Sequence, residues 1–222
     1  MATATEPTTI ADLLDGLGGI PARRVLWSPT PGTATEEDLI RVHERTNRLF
    51  ELVDGTLVEK AVGFDESRLA LLLAGYLLRF LERHDLGAMI GADGFMRLFP
   101  GLVRAPDAAF ISWKNYPARN RRRGAIPAVV PDLIVEVLSK SNTPKEMKRK
   151  LEEYFRAGVR LVWYVDPAKR TVRVHTAVDR STLLREADTL DGGDVLPGFA
   201  ISIRDWFAEA ERNGPRQPRH GA

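Results

Sequence analysis

The stretch that decides the fold runs from Pro131 to Pro167 and reads PDLIVEVLSKSNTPKEMKRKLEEYFRAGVRLVWYVDP. Its first eight residues read as a β-strand whose near-continuous, β-branched apolar character implies burial on both faces. Thr143-Pro144-Lys145-Glu146 starts a helix, with Thr143 as N-cap, Pro144 in the first helical position and Glu146 closing a capping box. That helix is expected to run to about Ala157, with Gly158 just beyond it as the residue that ends it. The run from Val159 to Asp166 is a second apolar strand, closed by Asp166-Pro167.

Within this stretch Glu136 is anomalous. Side chains alternate along a strand, so Asp132, Ile134 and Glu136 share one face and Leu133, Val135 and Val137 the other. A carboxylate set among valines is desolvated, which is costly unless a cation or hydrogen-bond donors meet it. On this segment alone, an edge position or an arginine partner would explain Glu136 as well as a ligand role. A second carboxylate, Asp107, precedes an apolar strand in RAPDAAFIS, where the plain role is a turn residue. Taken together, Asp107 and Glu136 offer hard oxygen ligands of the kind Mg²⁺ accepts. The helix after Glu136 carries an apolar stripe of Met147, Leu151, Tyr154 and Phe155. Lys145 and Arg149 point away from that stripe toward solvent, whereas Lys148 and Lys150 flank it, each roughly 80° off its centre. Helical geometry does not choose between those two lysines.

Working outward, residues 1–34 hold a short helical pattern (Ile10 to Leu17) and a Pro/Gly/Thr-rich connector. Thr35, followed by Glu36, Glu37 and Asp38, caps a helix expected to reach Thr46, with acidic residues on the positive end of its dipole. LFELVDGTLVEK is a hairpin turning at Asp54-Gly55. A long helix is expected from about Asp65 to His84, apolar around most of its circumference and so central to the fold. Short strands are expected near Ala88–Ile90, Phe95–Phe99 and Ala108–Ser112, then an Arg- and Pro-rich loop over 113–131. TVRVHT and STLLRE form a strand pair, DGGD and LPG are turn signals, and a last helix covers Ile203 to Ala210. The expected organisation is an N-terminal extension (1–34), one α/β domain (35–212) and a flexible tail (213–222).

Composition narrows the chemistry. The 222 residues are 44% hydrophobic and 28% charged, with a formal net charge of +2 and a pI of about 9.0. Nucleic-acid affinity would therefore come from local patches rather than from a global polycation. With no cysteine, disulfides, thiolate metal sites and cysteine nucleophiles are excluded. The four histidines are scattered without metal-ligand spacing. The first residues lack the basic and apolar regions of a signal peptide. The most apolar run, Leu69 to Leu78, falls well short of the roughly 20 residues of a membrane helix. A cytoplasmic protein without membrane attachment is the expectation.

The run from Pro131 to Pro167, with FELVDGTLVEK, VRAPDAAFIS and DTLDGGDVLPGF in the same order, resembles the Uma-type family of restriction-endonuclease-like proteins within the PD-(D/E)xK nuclease superfamily. The similarity spans about residues 35–208. It implies a restriction-endonuclease-like mixed β-sheet flanked by helices, with an N-terminal helical extension. It also implies a metal-dependent endonuclease acting on nucleic acid, DNA first, with Mg²⁺ or Mn²⁺ as cofactor. Residue by residue, Asp107 matches the Asp of the family's P-D, Glu136 the Glu of its E-V-L-S, and Glu51 an acidic residue from the first part of the fold. Lys150 matches the lysine four residues before a tyrosine, here Tyr154, so the resemblance selects Lys150 over Lys148. The superfamily pattern would place a lysine where Leu138 stands; the resemblance implies that the role has moved to the following helix. Asp107, Glu136 and the Val137 carbonyl would then hold the metal. Arg119, Arg121, Arg122, Arg123, Lys145 and Lys148 would contact phosphates. A homodimer is compatible with the superfamily, in which paired sites cut paired strands. The alternative is a catalytically inactive module that keeps the fold to bind DNA or protein.

Overall fold

Side-chain caps set where most of the helices begin. In the computed structural model, which describes residues 9–61, 63–117 and 126–214, helix α1 (Ile10–Gly16) starts at Thr9 and α2 (Glu36–Thr46) at Thr35, each with a capping box closed by an aspartate. The hairpin of β1 (Phe50–Val53) and β2 (Thr56–Glu59) turns on Asp54 and Gly55, at φ 47° and 67°. Helix α3 (Phe64–Leu81) begins at Gly63 without a side-chain cap. It ends three residues short of His84 because the N–H groups of Arg83 and His84 tighten onto the carbonyls of Phe80 and Leu81, the 3₁₀ closure common at helix ends. Strands β3 (Gly87–Ile90), β4 (Met96–Phe99), β5 (Leu102–Arg104) and β6 (Ala108–Ser112) follow.

The deciding stretch folds as β7 (Leu133–Val137), α4 (Pro144–Ala157) and β8 (Leu161–Asp166). Its capping box joins Thr143 and Glu146, and Gly158 takes φ 105°, the left-handed conformation that glycine adopts at no steric cost. The chain closes with β9 (Thr171–His175), β10 (Ser181–Leu184), β11 (Thr189–Gly192), β12 (Leu196–Ser202) and α5 (Ile203–Glu211). Among the described residues no helix is long and apolar enough to cross a membrane.

A six-stranded mixed sheet, β10-β9-β8-β7-β6-β3, organises the fold. β7 and β8 are parallel, joined by α4 as the crossover, and the other pairs are antiparallel. A four-stranded antiparallel sheet, β2-β1-β5-β4, lies beside it, and β11-β12 form a ribbon. Strand alternation distributes the core. Leu133, Val135 and Val137 pack with α3, α5 and the ribbon on one face, while Ile134 packs with α4, the smaller sheet and Leu17 and Ile20 on the other. A third cluster joins α2 to the far face of the smaller sheet through Leu39, Val42, Phe50 and Val103.

The N-terminal segment is bound into this assembly. Arg24 grips Glu146 with both guanidinium nitrogens, at 2.9 and 2.7 Å, in a buried pair. Gly18 sits so close to α4 that an added Cβ would lie 2.5 Å from the Glu146 Cα.

Three expectations need correction. Helix α3 is not buried around most of its circumference, since Phe64, Leu71 and Leu78 face solvent. LPG lies inside β12 rather than in a turn. Strand β5 was missed because its short apolar run sits between Gly101 and Ala105-Pro106, where turn residues dominate the signal.

Candidate active site

The strands and the crossover helix converge their charged side chains on one buried spot. β1 delivers Glu51, the residue before β6 delivers Asp107, β7 delivers Glu136 and α4 delivers Lys150. The Lys150 ammonium stands 3.1 Å from Glu136 Oε1 and 3.2 Å from Glu51 Oε2. All three side chains are buried, and Glu51 is only 1% exposed, so it is not a solvated hairpin residue. Lys148, in contrast, has a side chain 74% exposed and lies 3.8 Å from Glu152 one turn along. Two residues of helix turn the chain by roughly 200°, which carries Lys148 away from the site.

Further groups complete the cluster. Arg104, from β5, donates to Glu51 Oε2 at 2.7 Å and to Glu153 Oε2 at 3.0 Å. The Ala105 N–H donates to Glu51 Oε1 at 3.2 Å. Tyr154 donates its hydroxyl to Glu136 Oε1, so Lys150, Glu153 and Tyr154 all face the site from one side of α4. The Asp107 backbone N–H donates to the Val135 carbonyl at 3.1 Å, and the Val137 N–H donates to Asp107 Oδ2 at 2.7 Å. The carboxylate thus continues the ladder between β6 and β7. Lys60, at the end of β2, lies 2.8 Å from Asp107 Oδ1 and is itself buried. Lys60 and Arg104 were missed in the sequence; the available signal was a cation at the end of each short strand run, LVEK and LVR.

The two buried glutamates titrate in opposite directions. Burial would raise the Glu51 carboxyl, but Lys150, then Arg104 and Lys60, with the Ala105 N–H, hold it at about 2. Glu136 stands above the ordinary carboxylate range: burial pushes it up, Lys150 opposes, and the negative charges of Asp107 and Glu51 add to the push. Arg104 serves Glu51 directly, whereas Glu136 is opposed by Lys150 and, less strongly, by Lys60, with the Tyr154 hydroxyl on its Oε1. Burial would lower Lys150, but Glu136 and Glu51 more than offset this and keep the ammonium charged.

The donor set suits a hard divalent cation. Among the described residues no three His, Cys, Asp or Glu side chains form a group able to hold a metal, so the protein's own share would be two carboxylates and a backbone carbonyl. Mg²⁺ is commonly held by one or two carboxylates with water and phosphate completing its shell. The like charges of Asp107 and Glu136 are the arrangement that a cation relieves. Asp107 keeps 16% of its side chain exposed, which gives the cluster an open side.

The expected phosphate-contacting residues divide. Arg119, Arg121, Arg122 and Arg123 lie outside the described residues. Lys145 is exposed and paired with Asp15, and Lys148 is exposed near Glu152. Arg149, expected to be solvated, is instead pinned between Asp54 at 2.6 Å and Glu153 at 2.8 Å. Asp132, on the same strand face as Glu136, serves the fold: it accepts from the Ser112 N–H at 2.8 Å and from Asn115 at 3.0 Å. A cleft of about 890 Å³ beyond the ends of β7 and β8 has mixed charge, with Asp65, Glu66 and Glu211 facing Lys140 and Lys169. None of Glu51, Asp107, Glu136 or Lys150 lines it.

A search of curated proteins found no match. Among solved structures, the crystal structure of "a putative nuclease belonging to DUF820" from Anabaena variabilis superposes with a TM-score of 0.66 at 17% identity, covering 74% of this chain and 93% of that one. At that identity the likeness establishes the fold alone, a mixed α/β architecture shared with that protein. Residues 36–204, most of the chain, match the sequence family Uma2, described as "putative restriction endonuclease". The chain therefore belongs to the Uma2 family.

Proposed function

We propose that the protein is a metal-dependent nuclease that hydrolyses phosphodiester bonds, with DNA as its substrate. The observation that carries this reading is the placement of the Lys150 ammonium between Glu136 and Glu51, with Asp107 on the neighbouring strand. The family's description as restriction endonucleases favours DNA.

In this reading Asp107 and Glu136, with the Val137 carbonyl, hold Mg²⁺ or Mn²⁺. Such an ion, when bound, would supply Lewis acidity toward the phosphate and an attacking water. Lys150, kept cationic by its two glutamates, orients that water or faces the negative charge that develops on the phosphoryl oxygens. Glu51 is the positioning residue for Lys150, with Arg104 fixing Glu51 in turn. The Tyr154 hydroxyl holds Glu136 Oε1. Nucleic acid reaches the cluster from the side of Asp107, and the lysines at the start of α4 supply phosphate contacts that carry no sequence information.

A second reading has its own support. Glu51, Asp107, Glu136 and Glu153 are already matched by Lys60, Arg104, Arg149 and Lys150, so the cluster could serve as a structural ion-pair network in a binding module. Incubating plasmid, single-stranded DNA and RNA with Mg²⁺ or Mn²⁺ separates the two, with the Asp107→Asn variant alongside and Mn²⁺ binding followed by electron paramagnetic resonance. Cutting and Mn²⁺ binding that both disappear in Asp107→Asn support the nuclease. Wild-type protein that binds no Mn²⁺ and cuts nothing supports the module.

A further inference from the structure

Helix α3 has a second apolar face that nothing in the described fold covers. Its inner face, Leu69, Leu73 and Leu77, belongs to the core. On the outer face Phe64 is 82% exposed, Leu71 72% and Leu78 51%. These three recur at every seventh residue, and Ser67 and Ala74 stand at the intervening positions of the same repeat. Beside them Gly75 has open space where a Cβ would stand. Single exposed apolar residues are ordinary on a soluble surface. A seven-residue repeat with small residues between the large ones is the pattern of a seam that accepts another helix closely.

Charge chooses the occupant. Asp65, in the first turn of α3, and Arg79, in its last, are both exposed. At about 100° per residue they flank the stripe on the same side. We propose that α3 pairs with α3 of a second copy of this chain, antiparallel, about a two-fold axis at Leu71. Leu71 then meets its own counterpart, and Phe64 meets Leu78 of the partner subunit. Asp65 comes within about 3 Å of Arg79 of the partner subunit along the helix axis, on the same flank, twice over by symmetry. A parallel pairing would instead carry the two copies of each charged residue to opposite flanks of the seam, where no such pair forms. The surface is self-complementary in one orientation, as a closed two-fold interface requires, and opposed helix dipoles favour that orientation too. This pairing does not depend on whether the buried site cleaves nucleic acid.

The test uses the full chain, which has no cysteine of its own. Sedimentation velocity at micromolar concentration should give a dimer for wild type and a monomer for Leu71→Glu, with unchanged far-UV circular dichroism. Asp65→Arg and Arg79→Asp should each weaken the dimer at least tenfold, and the double variant should restore it. Under mild oxidation Leu71→Cys should cross-link, since both copies lie on the axis. Leu78→Cys should not, because an antiparallel pair holds those positions about 21 Å apart along the helices. Wild-type protein that stays monomeric overturns the proposal, even if it binds lipid vesicles or another protein. So does a dimer that survives Leu71→Glu, or one that cross-links through Leu78→Cys and not through Leu71→Cys.

Discussion

Replacing Lys150 with methionine keeps the length of the side chain but leaves Glu51 and Glu136 facing each other without their shared cation. Glu51 is fully buried and held at about 2 against an ordinary 4.5, with Lys150 the largest of the groups that lower it. A displacement of that size corresponds to about 3 kcal/mol of native stabilisation at neutral pH. Breaking a buried pair by removing one partner costs about 3–5 kcal/mol, so Lys150→Met is expected to lose that much at pH 8. The sign of the pH dependence follows from the same pair. In wild type the depressed Glu51 contributes stability that is present above its unfolded value and is lost as pH falls toward about 2. In the variant the uncompensated glutamates retain a proton in the folded state, so their folded pKa rises above the unfolded one and stability falls as pH rises. The deficit relative to wild type should therefore shrink from pH 8 to pH 5, by about 1.4 kcal/mol for each pH unit over which the extra proton is held. Urea unfolding at both pH values, followed by the fluorescence of buried Trp163 and Trp206, measures this directly. Adding Glu136→Gln to Lys150→Met should recover part of the loss through a coupling of about 1–3 kcal/mol. A Lys150→Met variant within about 1 kcal/mol of wild type at both pH values would refute the buried arrangement.

Other residues give independent expectations. Arg24→Met breaks the bidentate pair with Glu146 and the bond to the Glu59 carbonyl, and should cost about 3 kcal/mol in urea unfolding; a loss below about 1 kcal/mol would show that the N-terminal segment is not anchored there. His175 is buried, lies edge-on to Tyr164, and among the described residues finds no partner for either ring nitrogen. Burial, assisted by Arg173, lowers it to about 4. Its unfolded form takes up a proton as pH falls through 6.5 while the folded form does not, so it should reduce stability between those values. His175→Phe should therefore gain in stability relative to wild type at pH 5 compared with pH 8, and imidazole resonances that titrate near 6.5 would contradict this. Lys148→Met should leave stability within about 0.5 kcal/mol while reducing the salt dependence of DNA binding by about one phosphate contact. An unchanged salt slope would remove Lys148 from the contact surface.

Much of this arrangement was legible before any coordinates. The crossover unit could be read because each of its boundaries has local chemistry: Thr143, Pro144 and Glu146 begin α4, and Gly158 ends it. Glu136 stood out because a carboxylate amid valines contradicts its strand. The choice of Lys150 over Lys148 was not legible from helical periodicity, since both flank the apolar stripe; it rested on the family resemblance. Burial separates them, and burial depends on where β1 and β5 lie in space. Lys60 and Arg104 escaped for the same reason, because their partners, Asp107 and Glu153, are distant in sequence. The outer face of α3 was misread because an apolar circumference cannot tell a helix buried in its own core from one that presents a seam to a second chain.

The central claim is that the cluster around Glu136 performs the hydrolysis, and nicking of supercoiled plasmid in Mn²⁺ tests it most directly. Wild type, Glu136→Gln and Lys148→Met, purified identically, are compared in one time course. Wild type and Lys148→Met are predicted to nick the plasmid, with the rate for Glu136→Gln lower by about 100-fold or more, the scale of losing one electrostatic catalytic group. Nicking by Glu136→Gln at the wild-type rate would contradict the account.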